Sequence, residues 1–151
     1  MDLLPDTGPM TAGRTAVAPL EVTAQATMAA AAALRRRFRG WIGVLADDDT
    51  ADDLALAVYE ALANVVDHAY LGHDVPGEMT LTALASSPPA GGLLLDVTVS
   101  DRGSWRECGD PGWRGRGLPL MRRLAESTAV MTDAHGTTVT LRRRVPPPSS
   151  T

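Results

Sequence analysis

The longest helical pattern of hydrophobic and polar positions in this sequence covers residues 52–71. The stretch is rich in Ala and Leu and contains neither Gly nor Pro, which favours a helix. At about 100° per residue, its apolar side chains cover most of the helix surface and leave one narrow polar stripe. The stripe consists of Asp53, Glu60, Asn64, Asp67 and His68. Taken alone, such a stripe is more often the solvent-facing side of a core helix, so its meaning depends on signals elsewhere in the chain.

Shorter patterns on either side predict the remaining elements. A helix is predicted at residues 24–39, ended by Gly40, and Thr50 or Asp49 is expected to cap the long helix. Alternating positions predict strands at residues 20–23, 78–85, 93–100, 128–132 and 137–143, and a further helix is predicted at residues 118–127. This order of elements predicts an α+β fold, a two-layer sandwich in which about three helices cover one face of a mixed, mostly antiparallel sheet.

The strand predicted at residues 93–100 has a clear two-residue period. One side of it carries Leu93, Leu95, Val97 and Val99. Asp101 lies two residues beyond Val99 and continues this apolar row, so its carboxylate is expected to point toward the layer that covers the sheet. On the last strand, Val139 and Leu141 should face the core, which predicts that Thr137 faces it too.

Composition limits the classes of protein to which this chain can belong. It has 151 residues, of which 44% are hydrophobic and 21% charged, as expected of a single globular domain. The formal net charge of -4 gives no sign of the basic surface typical of nucleic-acid-binding proteins. The single cysteine, Cys108, cannot form an internal disulfide, and no group of Cys and His has metal-site spacing. The acidic N-terminus does not fit a signal peptide, and no apolar run has membrane-spanning length, so we expect a cytoplasmic protein with no membrane or direct nucleic-acid partner.

Proline-rich and glycine-rich segments mark the expected limits of the domain. Residues 1–19 predict a flexible leader and residues 145–151 a disordered tail, which leaves residues 20–144 as the folded domain. Within the domain, the basic residues at positions 35–39 place positive charge at the end of the first helix, where the helix dipole favours it. The alternative is that they form a patch that docks an acidic protein partner.

Four local signals together predict one binding site. They are Glu60 with Asn64, the run Asp101-Arg102-Gly103 at a strand end, Gly115-Arg116-Gly117 before a helix, and Gly136-Thr137 at the start of the last strand. Glycines before a helix expose N–H groups that bind phosphate oxygens, and an amide oxygen such as that of Asn64 suits magnesium. A strand-end Asp can accept a hydrogen bond from an exocyclic amino group such as that of adenine, and an adjacent glycine permits close approach of the base. The combination predicts a cleft between helix and sheet that is shaped for a magnesium-bound adenine nucleotide.

At these residues the sequence resembles the GHKL superfamily of ATP-binding domains, which have the Bergerat fold. The helix motif of that superfamily is matched by YEALANVVDHAY, its adenine motif by SDRGSW, its glycine-rich phosphate motif by RGRGLPLMRRL, and its closing strand by GTTVTLRR. The resemblance covers about residues 20–144 and is most evident to the anti-sigma factor serine/threonine kinases of the RsbW type. It implies that the predicted two-layer sandwich is a histidine kinase-like ATPase domain.

The resemblance also implies a role for each motif residue. Glu60 would be the general base, Asn64 the magnesium ligand, and Asp101 and Thr137 the contacts to adenine. Gly103 would line the base pocket. The other implied nucleotide-binding positions are His68, Trp105, Arg114, Gly115, Arg116, Gly117 and Leu118. Taken alone, however, each of the three histidines in the chain is interpreted as structural or exposed.

The glycine-rich segment and the residues before it have features of their own. Gly115 and Gly117 would lie against the phosphates, and Arg114 or Arg116 is a candidate to stabilise the transferring phosphoryl group, although arginines in glycine loops more often face solvent. Trp105 stands where the wider superfamily has a second glycine, and it would pack against the nucleotide or close the lid. The lid between Trp105 and the glycine motif is very short.

The function implied by the resemblance is an ATP-dependent Ser/Thr protein kinase that uses ATP and Mg²⁺. It would phosphorylate an anti-anti-sigma partner of the STAS class, sequester a sigma factor and form a homodimer. One alternative is a nucleotide-binding partner-switching protein without significant kinase activity, against which the presence of both Glu60 and Asn64 argues. Another is a catalytic domain that acts on a histidine or on water, against which the lack of an appended acceptor domain argues.

Overall fold

The computed structural model describes residues 17–104 and 121–146 of the chain. Two helices, α1 (Met28–Ile42) and α2 (Asp48–Asn64), follow the first strand, and a π-helical turn (Val65–Ala69) continues α2 directly. The five strands are β1 (Leu20–Gln25), β2 (Glu78–Ser86), β3 (Leu93–Asp101), β4 (Ser127–Asp133) and β5 (Gly136–Val145). Residues 121–124 are also helical. No helix in residues 17–104 or 121–146 has both the length and the apolar character needed to cross a bilayer.

The strands form one sheet in the order β1-β2-β3-β5-β4. All four strand pairings in the described part of the chain are antiparallel, and β3 lies at the centre. The register places Asp101, the last residue of β3, opposite Met79 on β2 and Thr137 on β5. The predicted α+β class is confirmed, but the described strands form an antiparallel sheet rather than the mixed one that was predicted. Strands far apart in sequence meet at the end of β3.

The helices and one face of the sheet enclose the hydrophobic core. Burial alternates along most of β3 and β5: residues 95, 97, 99 and 101 are buried in β3, and residues 137, 139, 141 and 145 in β5, as the two-residue period predicted. The largest fully buried side chains come from both layers: Phe38, Ile42, Leu54, Leu62, Met79, Leu81, Leu95, Met121 and Leu141. The buried row of β3 ends at Asp101, which is only 7% exposed. The core thus carries one carboxylate at its edge, as the sequence predicted.

Helix α1 differs from its predicted limits at both ends. The edge strand β1 continues to Gln25, and the Thr27 hydroxyl caps the helix by accepting a hydrogen bond from the Ala30 N–H at 3.1 Å. At the other end the helix passes through Gly40 to Ile42. Glycine inside a helix costs about 1 kcal/mol relative to alanine, but burial of the Ile42 side chain offsets this cost.

Limits of other elements also differ from the sequence-based prediction. The cap of α2 is Asp47 rather than Thr50 or Asp49, because the Asp47 Oδ1 accepts the Thr50 backbone N–H at 2.7 Å. The last predicted helix ends before Ser127, which already belongs to β4. Strand β5 extends to Val145, whose buried side chain joins the core. Residues 1–16 and 147–151, most of the predicted leader and tail, lie outside the described residues.

We expect Asp47→Ala to lower the melting temperature by about 3 °C at neutral pH, because an unfilled N-cap leaves helix N–H groups without an acceptor. The hydrogen bond from the Thr50 backbone lowers the pKa of Asp47 in the folded protein. The stabilising effect of the charged cap is therefore present above the ordinary aspartate pKa and lost as the pH falls through the lowered one. Thermal unfolding followed by circular dichroism across this acid range would measure both effects. Asp49→Ala is the matched control, and an equal loss in that variant would contradict the assignment of the cap.

Candidate functional site

Two polar residues lie one helical turn apart near the end of α2. Glu60 is half-buried, and Asn64 is only 7% exposed. The Asn64 side chain makes no capping hydrogen bond and has no hydrogen bond to another described residue. Buried side-chain amides are normally satisfied, so this one has the capacity to bind a ligand. Among the described residues, only the Thr128 Oγ1 is both fully enclosed and without a hydrogen bond. The unpaired amide atoms of Asn64 therefore remain accessible to solvent.

The helix changes geometry immediately after Asn64. Sequence periodicity predicted regular helix to residue 71, but Val65–Ala69 is a π-helical turn and a tight turn follows at Tyr70. A π turn is wider than an α turn and is frequent at functional sites. Here its last residue, Ala69, offers its carbonyl oxygen to the Ser104 N–H at 2.8 Å. His68, which is half-buried, lies within the same turn.

The carboxylate of Asp101 organises the end of β3. Its Oδ1 accepts the Gly103 N–H at 2.9 Å and the Thr137 N–H at a longer 3.4 Å. Thr137 is almost fully buried, and its hydroxyl pairs with that of Thr132 at 3.1 Å. The structure thus brings together three residues that the sequence assigned to one site. The Asp101 carboxylate is buried at the edge of the core, and the N–H groups of Gly103 and Thr137 orient it.

Two glycines allow this close packing. A Cβ at Gly103 would overlap the carbonyl group of Ala69, and a Cβ at Gly136 would overlap the carbonyl oxygen of Asp101. Gly136 also has a φ of +141°, which side-chain-bearing residues rarely adopt. In both cases the nearest obstructing atom belongs to backbone, which cannot move aside as a flexible side chain does. Gly103 is therefore required where the strand end meets the π-helical turn.

Tyr70 is a site residue for which the sequence suggested no role, although it closes the helix motif YEALANVVDHAY. Its hydroxyl donates to the Glu78 carbonyl oxygen at 2.5 Å and accepts the Arg102 N–H at 2.9 Å. Its ring occupies the space where a Cβ on Gly77 would lie. Burial raises the pKa of the Tyr70 hydroxyl above its ordinary value. The presence of a tyrosine in the motif does not indicate which distant residues its hydroxyl will bond.

These contacts join the two groups of predicted site residues. Ala69 contacts Gly103 and Ser104, and Tyr70 contacts Arg102, so the end of the helical stretch is fixed against the turn after Asp101. Glu60 precedes Ala69 by nine residues, which is roughly 13 Å along a helix axis. Along the helix axis, Glu60 therefore lies further than Ala69 from the turn after Asp101.

Trp105, Arg114, Gly115, Arg116, Gly117 and Leu118 lie outside the described residues. Within the described ranges, no group of three or more His, Cys, Asp or Glu side chains could hold a metal ion. A shallow depression of about 290 Å³ beside Asp101 is lined by Met131 and Thr138, which project from the opposite side of the sheet to Thr137. The depression therefore lies on the face of the sheet opposite to the one that Thr137 faces.

Comparison with known proteins identifies the fold family. The family model described as the histidine kinase-like ATPase domain matches residues 24–143. A similar solved structure is that of the RsbU and RsbW domains of Rv1364c from Mycobacterium tuberculosis, with 29% identity and a TM-score of 0.68 over 87% of this chain. The chain spans only 34% of that protein.

A second similar structure is the blue-light activated histidine kinase of Erythrobacter litoralis EL346. It has 25% identity and a TM-score of 0.51, over 66% of this chain and 32% of the kinase. The match to the family model covers both the helix with Glu60 and the strands with Asp101 and Thr137. The predicted resemblance is confirmed, and the chain belongs to the family of histidine kinase-like ATPase domains.

Proposed function

We propose that this protein is an ATP-dependent Ser/Thr protein kinase that phosphorylates an anti-anti-sigma partner of the STAS class and sequesters a sigma factor. The observation that carries the proposal is the docking of the helix with Glu60 and Asn64 against the turn after Asp101. In this proposal, the docked helix provides the acid-base group and the metal-binding amide of the site, and the end of β3 provides the acceptor for adenine. Similarity to the Mycobacterium tuberculosis structure, which contains an RsbW domain, supports the choice of regulator class.

In this proposal, adenine binds at the buried end of β3. The Oδ1 of Asp101 is occupied by two backbone N–H groups, so its carboxylate is held in a fixed orientation. A carboxylate accepts hydrogen bonds only, which matches the exocyclic amino group of adenine as a donor. Thr137 completes the contact, and Gly103 lets the base approach the backbone.

The proposed ligand for Mg²⁺ is Asn64. Its buried amide has no hydrogen-bond partner among the described residues, and an amide oxygen is a suitable ligand for a hard cation. Mg²⁺ usually takes few protein ligands and the rest from phosphates and water, so one amide oxygen is a suitable contribution from the protein. When bound, the ion would supply neutralisation of phosphate charge.

Glu60 is proposed as the general base. The hydroxyl oxygen of the partner's Ser or Thr forms a bond to the γ-phosphorus while the bond to the β,γ-bridging oxygen breaks, and ADP leaves with that electron pair. Glu60 orients the attacking hydroxyl and accepts its proton. Positioning and charge neutralisation provide most of the catalysis in such reactions, so one well-placed carboxylate is sufficient.

The remaining proposed contacts involve Trp105, residues 114–118 and His68. Gly115 and Gly117, with Leu118, are proposed to bind the phosphates, and Arg114 or Arg116 to stabilise the transferring group. Trp105 is proposed to pack on the nucleotide or close the lid, and His68 to border the site from the π-helical turn. These assignments follow from the motif positions.

The partner surface is proposed to include the basic residues of α1. Arg39 is already paired with Asp48 and Asp52, at 3.2 and 2.8 Å, and Arg35 lies over the Tyr59 ring at 5.6 Å. Arg36 and Arg37 are exposed and remain available for an acidic partner. We also propose a homodimer, through the first strand and helix.

The deciding experiment is phosphate transfer in vitro. The purified protein is incubated with Mg²⁺, γ-labelled ATP and STAS-domain proteins of the same genome, and the label is located by electrophoresis and mass spectrometry. We expect label on a Ser or Thr of one STAS protein. Stable binding of that partner without label would overturn the kinase assignment in favour of partner switching without catalysis, and label on histidine or release of free phosphate would indicate a different reaction.

We expect Asp101→Asn to weaken ADP and ATP binding at least about tenfold. The two backbone N–H groups would bond to the amide oxygen of the new side chain, so its NH₂ group would face the adenine amino group. Both groups are hydrogen-bond donors, so they cannot bond to each other. Isothermal titration with ADP measures the effect. Asp133→Asn, at the exposed end of β4, is the control, and unchanged affinity in the Asp101 variant would remove this residue from the adenine site.

A further inference from the structure

Tyr70 connects three segments that are distant in sequence. It ends the helical stretch, its hydroxyl donates to the carbonyl of Glu78 at the start of β2, and it accepts the N–H of Arg102 just after β3. β2 and β3 are neighbours at this point, since Met79 lies opposite Asp101. One phenol group therefore links the helix to the end of β3, where Asp101 lies.

The hydroxyl of Tyr70 must donate and accept at the same time to make these two bonds. Only the protonated phenol can donate to Glu78, and burial keeps the pKa of Tyr70 raised, so the group stays protonated at neutral pH. The ring is seated against Gly77, where no Cβ obstructs it, and meets the His73 ring edge-on at 5.4 Å. Ring and hydroxyl thus have separable contacts.

The backbone turn that Tyr70 holds is the one that carries the adenine-side groups. Asp101 Oδ1 binds the Gly103 N–H, and Arg102, between them, is the residue whose N–H bonds to Tyr70. Ser104 is fixed on the other side by Ala69. Displacement of Arg102 would therefore move Asp101 and Gly103 together relative to α2.

We infer that Tyr70 is a positioning residue for nucleotide binding: its hydroxyl holds the Asp101 turn in register with the helix that carries Glu60 and Asn64. The inference rests on the proposed function, because it assigns the two ends of the nucleotide to these two elements. Tyr70 acts through Arg102 and the backbone rather than by touching the nucleotide. Loss of its hydroxyl should make the distance between the adenine end and the phosphate end of the site more variable.

A merely structural tyrosine would give a different result from a positioning one. Both hydrogen bonds of Tyr70 lie near the surface, where water can replace the lost hydroxyl, so Tyr70→Phe should cost little stability. The same variant should weaken ADP binding about fivefold to twentyfold. It should raise the KM for ATP and leave kcat nearly unchanged.

The experiment compares Tyr70→Phe with Tyr59→Phe, the only other tyrosine, whose ring lies beneath Arg35 and whose hydroxyl has no partner among the described residues. ADP affinity is measured by isothermal titration, and Arg102 amide protection by hydrogen exchange without nucleotide. We expect lower affinity and lower Arg102 protection in Tyr70→Phe alone. Combining it with Asp101→Asn should add little further loss, since both act on one contact.

Unchanged ADP affinity in Tyr70→Phe, or a loss fully additive with that of Asp101→Asn, would overturn the inference. Gly77→Ala provides a second route, because its Cβ displaces the Tyr70 ring without removing the hydroxyl, and it should reproduce the affinity loss. If the wild-type protein binds no ADP, the proposed function fails. The exchange of the Arg102 amide would then still decide whether Tyr70 holds this turn.

Discussion

Replacement of Gly103 by alanine is expected to weaken ADP binding by about 100-fold and to lower the free energy of unfolding by about 3 kcal/mol. The added methyl group would overlap the Ala69 carbonyl, so the turn after β3 and the π-helical turn would have to separate. Separation would break the bond from the Ser104 N–H to Ala69 and disturb that from the Gly103 N–H to Asp101. Urea unfolding and titration with ADP would measure the two losses.

Gly40→Ala is the matched control for this prediction. Gly40 lies within α1, and a Cβ there would meet no atom within 4 Å. Because alanine favours helix over glycine, this variant should keep wild-type ADP affinity and unfold at an equal or slightly higher urea concentration. If Gly103→Ala behaved like Gly40→Ala, the close approach of Gly103 to Ala69 would not be essential to the site.

The parts of the site predicted from sequence are those set by the two-residue period of a strand. Val99 and Asp101 share one face of β3, and Val139 and Thr137 share one face of β5, so burial of the apolar residue fixed the direction of the polar one. The antiparallel register then placed Asp101 opposite Thr137. Local periodicity was sufficient because the core imposes it along the whole strand.

The parts that sequence did not predict depend on tertiary contacts. The π-helical turn after Asn64 interrupts a sequence pattern that fits a regular helix. The structural reason for this turn is the docking of Ala69 against Gly103, which is a tertiary contact. The continuation of α1 through Gly40 depends in the same way on burial of Ile42. Local propensity differs by about 1 kcal/mol in such cases, which packing readily exceeds.

The role of Tyr70 is a third example. Its position in the helix motif was evident, but its partners at Glu78 and Arg102 are 8 and 32 residues away in sequence. No spacing rule connects residues at these separations. The two halves of the candidate site were therefore each visible in the sequence, whereas the contacts that hold them together were not.

Replacement of Glu60 by alanine or glutamine is expected to lower phosphate transfer to the STAS partner at least about 100-fold, with only a modest change in ADP affinity. Both substitutions remove the proton acceptor, but glutamine keeps the shape of the side chain and so separates loss of the base from loss of packing. Asp53→Asn is the matched control, since Asp53 lies two turns earlier on the same polar stripe of α2 and has no proposed contact with nucleotide. Single-turnover transfer of labelled phosphate measures the rate, and it should be close to that of the wild type in the control. A normal rate in Glu60→Gln would show that the half-buried carboxylate is only the polar face of a core helix and that another group takes the proton.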